Sequence, residues 1–168
     1  MDRDYLTGRG FLYADYAPRF QRQYNYRPRS LSLRVSIDVD GRAISGLARY
    51  ELESWGVLEF DAAEMRIDGV AVDGSPSEFH YNGKVLVIDA SPGAHSVSIE
   101  YSTVPRKGVY FAERKGRIFV WSHGETEDNR YWIPLPDSPY VKFPTEVTVV
   151  APAWMTAVSN GVLQGVRE

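Results

Sequence analysis

The chain has 168 residues, no cysteine, 43% apolar side chains and a formal charge of −3. That length suits one domain with a core large enough to fold without staples, and the missing cysteines exclude disulfides, Cys-based zinc sites and a thiol nucleophile. The mild charge argues against nucleic acid or an anionic membrane as partner, no run nears the ~18 apolar residues of a membrane span, and Met1-Asp2-Arg3-Asp4 opens no apolar signal core. A cysteine-free chain of this kind is expected in the cytoplasm.

Residues 1–30 lack periodicity. Their six arginines and three aspartates leave a local +3, hence −6 on the remainder, and five tyrosines lie among them. An extended basic, aromatic arm laid over an acidic domain is the expectation. From Leu31 to Val39 apolar and polar residues alternate strictly, which predicts a strand with one buried face. Asp40-Gly41 follows as a hairpin turn, its glycine expected to supply positive φ. A second strand is expected from Ala43 to Glu53. Further turns are expected at Asp68-Gly69, Asp73-Gly74, Asn82-Gly83 and Asn160-Gly161. Between them Met65–Ile67, Lys84–Ile88, His95–Tyr101, Arg117–Trp121 and Val147–Val150 have strand character, and Ala157–Leu163 resembles a strand running into a turn. The fold class expected is all-β: an antiparallel sandwich or saddle-shaped sheet over residues 31–168. The 11 tyrosines and 4 tryptophans suit it.

The segment from Trp121 to Pro139 departs from this pattern. His123, Glu125, Glu127, Asp128 and Arg130 cluster between an apolar strand and a proline-rich turn, flanked by Trp121, Tyr131 and Trp132. A core strand has no use for such charge, and a plain surface loop has no use for such aromatics. Arg130 and Asp137, seven residues apart around a proline corner, suit an ion pair that fixes the loop. A metal site from His123, Glu125, Glu127 and Asp128 is not expected, because the run has neither calcium-loop nor zinc-site spacing. His80 and His95 are expected as exposed polar residues.

The same segment resembles the W-[ST]-Q-x-E-x-x-x-x-R-x-x-x-P-C-x-D-x-P stretch of the zinc aminopeptidases related to aminopeptidase N and leukotriene hydrolase. Trp121, Glu125, Arg130, Pro134, Asp137 and Pro139 match in order and spacing. His123 replaces the usual glutamine and Leu135 a frequent cysteine. The likeness runs more loosely through Leu31–Glu53 and Phe143–Gly161. It implies the N-terminal β-domain of such an enzyme, lacking its last strands and the downstream catalytic domain. It further implies that Glu125 binds the substrate's terminal amine, that His123 shapes the first side-chain pocket, and that Trp121, Arg130 and Asp137 support the loop. The family's H-E-x-x-H zinc ligands and G-x-M-E-N loop are absent here. The chain alone is therefore expected to hold no cofactor and catalyse nothing, the zinc belonging to the parent protein. The expected partners are a peptide N-terminus and, through an exposed sheet edge, a second copy of the chain. A stand-alone scaffold or protein-interaction module is the competing expectation; a carbohydrate-binding sandwich rests on aromatic content alone.

Overall fold

The alternation that starts at Leu31 belongs to a longer strand than the pattern shows. The computed structural model describes residues 22–167, and there β1 runs Tyr26–Asp38. Tyr26 and Pro28 are buried at even positions, Leu31, Leu33 and Val35 at odd ones. A register shift between Pro28 and Ser30 against the next strand resets the parity. The strand start was hidden because a bulge breaks the period on which the pattern depends. Most of the expected arm, residues 1–21, lies outside the described residues.

The strands that follow are β2 (Ala43–Ser54), β3 (Leu58–Asp61), β4 (Arg66–Val72), β5 (Ser75–Pro76), β6 (Phe79–Tyr81), β7 (Val85–Ile88), β8 (Gly93–Thr103), β9 (Val109–Arg114), β10 (Arg117–Ser122) and β11 (Thr145–Val150). They make a six-stranded sheet in the order β11-β1-β2-β8-β4-β5, a three-stranded sheet β3-β7-β6, and the β9–β10 hairpin. The all-β class follows from the alternation along these strands. Leu33 and Val35 on β1, Tyr50 and Leu52 on β2, and Val97 and Ile99 on β8 face Leu58 and Phe60 on β3 and Leu86 and Ile88 on β7. This apolar layer between two sheets is the core. The far face of the large sheet carries exposed Ser32, Arg34, Arg49, Glu51 and Glu100, so only one face is dry. Among the described residues no helix is long and apolar enough to cross a membrane.

Several expectations are corrected. β11 pairs with β1 in parallel, Leu33 against Val147 and Val35 against Val149, while the other ladders are antiparallel. In the β1–β2 turn the positive φ falls on Arg42, at 49°, not on Gly41. A Cβ on Gly41 would lie 2.4 Å from Asp38 Oδ2, so any other residue there would push the exposed Asp38 carboxylate aside. Asp68-Gly69 is no turn; it lies inside β4, where the ladder slips between Ile67 and Gly69. Ala157–Leu163 forms no strand. Val158 is 91% and Leu163 78% exposed, and no described strand pairs with them. A strand pattern without a partner strand has nothing to hydrogen-bond.

His80 is exposed, but His95 is not: its side chain keeps 12% of its surface. Nδ1 meets Asp73 Oδ2 at 2.7 Å and Nε2 meets the Ser91 carbonyl at 2.9 Å. Both partners are acceptors here, so only the imidazolium has a proton for each. The Asp73 contact, then the Ser91 carbonyl, holds the His95 pKa above its ordinary 6.5, and the same contact holds Asp73 below 3.8. The His95 contribution to stability is complete below pH 6.5 and fades as pH rises through the raised value. The Asp73 contribution is present above pH 3.8 and fades as pH falls through the lowered one. Thermal unfolding of wild type and His95→Gln across pH should therefore show a wild-type advantage that peaks in mildly acid solution and shrinks above neutrality. An advantage that grows toward pH ~9 would contradict the imidazolium clamp.

Candidate functional site

The site loop is built on the β9–β10 hairpin and held from beneath. Trp121 pairs with Tyr110 across the ladder, Ser122 with Val109, and the His123 amide donates to the Gly108 carbonyl at 2.8 Å. Gly108 has φ 78°, and a Cβ there would stand 2.1 Å from the Asp128 carbonyl oxygen. No other residue lets the chain pass the loop so closely. After Gly124 the backbone turns; the Glu125–Thr126 peptide is cis. The Asp128 amide returns to the Gly124 carbonyl at 3.1 Å, and one 3-10 turn spans Asn129–Tyr131. Trp132 donates its indole N–H to Asn129 Oδ1 at 3.2 Å.

Beneath this turn lies a charge network. Arg130 Nε donates to Asp137 Oδ2 at 3.2 Å and to the Glu127 carbonyl at 2.9 Å, and its backbone amide reaches the same Asp137 oxygen at 3.0 Å. Nη2 meets Glu127 Oε2 at 2.9 Å, and Nη1 lies 3.7 Å from Asp61 Oδ1. Asp61 is 1% exposed. It accepts from Arg22 Nη1, from the Tyr24 hydroxyl at 2.6 Å and from the Asp137 amide at 3.1 Å. Its backbone bonds Leu135 in both directions, 2.9 and 3.0 Å, and Tyr50 donates to the Pro134 carbonyl at 2.7 Å. Two buried carboxylates thus share two guanidinium groups, the condition under which buried charge is tolerated. Burial pushes the Asp137 carboxyl up despite Arg130. Burial works against the Arg130 guanidinium, yet Asp61, Asp137 and Glu127 outweigh it and raise its pKa. Burial, then the bond to Asp61, pushes the Tyr24 phenol up.

The expected site residues divide between surface and foundation. The side chains of Glu125 and His123 are 78% and 62% exposed, and Glu125 Oε2 stands 4.0 Å from His123 Nε2. Trp121 is 48% exposed and stacks on Tyr110 at 5.6 Å between ring centroids. Arg130 and Asp137 lie below. Glu127 is committed to Arg130 and Asp128 to Lys107 at 3.3 Å. Glu125 is thus the carboxylate of this loop with no Lys or Arg within salt-bridge distance among the described residues. Asp61, Arg22, Tyr24 and Tyr110 were not singled out from the sequence. By parity Asp61 belongs with exposed Glu59, since Leu58 and Phe60 face inward. Distant segments bury it, Arg22 and Tyr24 from before β1 and Arg130, Leu135 and Asp137 from the site loop, and no local pattern announces that.

Among the described residues no group of three or more His, Asp or Glu is placed to hold a metal, so the residues present do not fit a zinc ion. Ser91, His95 and Asp73 form a Ser–His–Asp row, with Ser91 Oγ 3.5 Å from Nε2. That nitrogen already faces the Ser91 carbonyl, so it is not free to take the hydroxyl proton.

A family model described as the peptidase M1 N-terminal domain matches residues 22–167. Native leukotriene A4 hydrolase from Saccharomyces cerevisiae superposes with a TM-score of 0.73 at 19% identity, over 90% of this chain and 28% of that one. An M1 zinc metallopeptidase from Deinococcus radiodurans superposes with a TM-score of 0.76 at 17% identity, over 87% of this chain and 37% of that one. A yeast leukotriene A4 hydrolase in complex with bestatin gives 0.73 at 18%, over 90% and 27%. At these identities the likeness is one of fold. The chain spans between 27% and 37% of the length of these proteins.

Removing Asp61 leaves Arg22 and Tyr24 without their shared acceptor and frees the Asp137 amide. Asp61→Ala is expected to cost about 3–5 kcal/mol in urea unfolding, as for a broken buried ion pair. Glu59→Ala, which removes only the exposed partner of Arg22, is expected to stay within about 0.5 kcal/mol of wild type. Equal losses in the two variants would deny Asp61 its anchoring role.

Proposed function

This chain belongs to the peptidase M1 N-terminal domain family, and from that premise we propose that it serves a zinc metallo-aminopeptidase as a non-catalytic β-domain. In this reading it forms one wall of a substrate cleft, and Glu125 anchors the terminal ammonium of a peptide. The observation that carries the reading is the state of Glu125. Its neighbours Glu127 and Asp128 are neutralised by Arg130 and Lys107, while Glu125 projects into solvent from a loop fixed by a buried network. A carboxylate with no Lys or Arg beside it among the described residues, on a fixed base, binds a cation without first breaking such an ion pair or ordering a loop. His123 lies beside it and flanks the first side chain; Trp121, Arg130 and Asp137 hold the loop. The zinc of such a parent protein would activate water and polarise the scissile carbonyl; this domain contributes binding, and the ligand set lies elsewhere. A cytoplasmic location, fitting the absence of cysteine, belongs to the same reading.

In the parent enzyme, Glu125→Ala is expected to raise KM for amino-acid amides by about tenfold or more, as for loss of a charge-assisted hydrogen bond, with a smaller effect on kcat. An unchanged kcat/KM would refute the assignment.

One observation favours a second reading, a protein-interaction module that pairs with its own copy. β11 edges the large sheet, and Val147 and Val149, opposite core residues Leu33 and Val35, remain 42% and 40% exposed. Light scattering should then give twice the 19.0 kDa chain mass at high concentration; a monomer throughout would reject this reading.

A further inference from the structure

We propose that the outward face of the β9–β10 hairpin is a track for an extended peptide, with its free N-terminus at Glu125 and an aromatic side chain at its third residue against Trp121. The proposal rests on the amine-anchor role of Glu125 and adds a substrate class to it.

The register builds the track. Trp121 opposes Tyr110, Phe119 opposes Ala112, and Arg117 opposes Arg114. The His123 amide continues the ladder to the Gly108 carbonyl. Alternate side chains of a strand share a face, so Arg117, Phe119, Trp121 and His123 line one side. The other side, with Val120 and Phe111, packs on the core. Phe119 is nevertheless 50% and Trp121 48% exposed, so the hairpin is apolar on both faces and covered on one. Such a face on a built element marks a binding surface more often than chance exposure.

Charge sets the direction of the occupant. The carboxylate lies at one end of the stripe, beside His123, and the paired Arg114 and Arg117 lie at the hairpin tip. A peptide with its ammonium at Glu125 and its carboxylate or an acidic side chain toward the tip meets complementary charge at both ends. Spacing sets the position. Same-face side chains repeat every ~6.6–6.8 Å in an extended peptide and in the hairpin alike. The first side chain then falls at His123 and the third at Trp121. The indole is already held by its stack on Tyr110, rings 22° apart, so little side-chain freedom is lost on binding.

The test uses this chain and three peptides: Ala-Ala-Phe amide, Ala-Ala-Gly amide, and N-acetyl-Ala-Ala-Phe amide. Amide and indole N–H shifts are followed by NMR during titration. The expected result is that the Phe peptide binds about fivefold more tightly than the Gly peptide, moving the Trp121 indole. Acetylation should weaken it by about tenfold. Trp121→Leu should abolish the Phe preference while keeping the acetylation effect. Should that variant misfold, Tyr110→Leu, which removes the backing ring, should reduce the same preference. Equal binding of Phe and Gly peptides with acetylation still harmful would overturn the track and leave the Glu125 anchor standing. Phe preference indifferent to acetylation, or no shift up to the solubility limit, would overturn both.

Discussion

Asp61 takes a hydrogen bond from a guanidinium, a phenol and a backbone amide while 1% exposed, and these donors come from two distant parts of the chain. Arg22 and Tyr24 precede β1. The amide belongs to Asp137, at the far end of the site loop. A second guanidinium, from Arg130 inside that loop, completes the group at 3.7 Å. One carboxylate thus ties the entry of the domain, the small sheet and the loop into one electrostatic unit. A neutral isostere would make the same shape without that reach, because only an ionised group rewards several donors at once. The loop owes its position to a charge that it does not itself carry.

That arrangement separates two jobs along one short sequence. Residues pointing down, Arg130 and Asp137, are spent on structure; residues pointing out, His123 and Glu125, are left over. The division explains how a loop with so many ionisable groups stays ordered and still offers one carboxylate that no Lys or Arg pairs among the described residues. The network fixes the base from which Glu125 projects, and Glu125 itself stays solvated. It also explains why the stacked Tyr110 and Trp121 stay together at the surface. The hairpin beneath them is pinned by Val120 and Phe111 on the core side.

The strands were legible where one face is wet and one dry. Val35 and Tyr50 declare their burial by alternation alone, and the all-β class follows from such runs. What escaped was whatever depends on a distant partner. Tyr26 is hidden by a bulge, the parallel placement of β11 by its partner's distance along the chain, and Gly69 by a slip inside a strand. Ala157–Leu163 shows the converse, since a strand pattern forms no strand without a neighbour. In the site, Arg130 and Asp137 were legible as an ion pair because a proline corner brings them together. Asp61 was not, because the residues that bury it, from Arg22 to Asp137, lie far from it along the chain. His95 reads as a surface residue because nothing near it in sequence points to Asp73.

The parallel ladder between β1 and β11 bears on the order in which the molecule assembles. Val35 must find Val149, with every other strand and the site loop strung between them. Contacts closing so much chain are entropically dear and form late. Arg130 and Asp137 lie just before β11, and their partner Asp61 is in the small sheet. The same segment sends Ile133 into the core while Arg130 and Asp137 close on Asp61, so the loop and the core are completed together. A chain whose loop is unseated therefore loses core packing and surface geometry at one stroke.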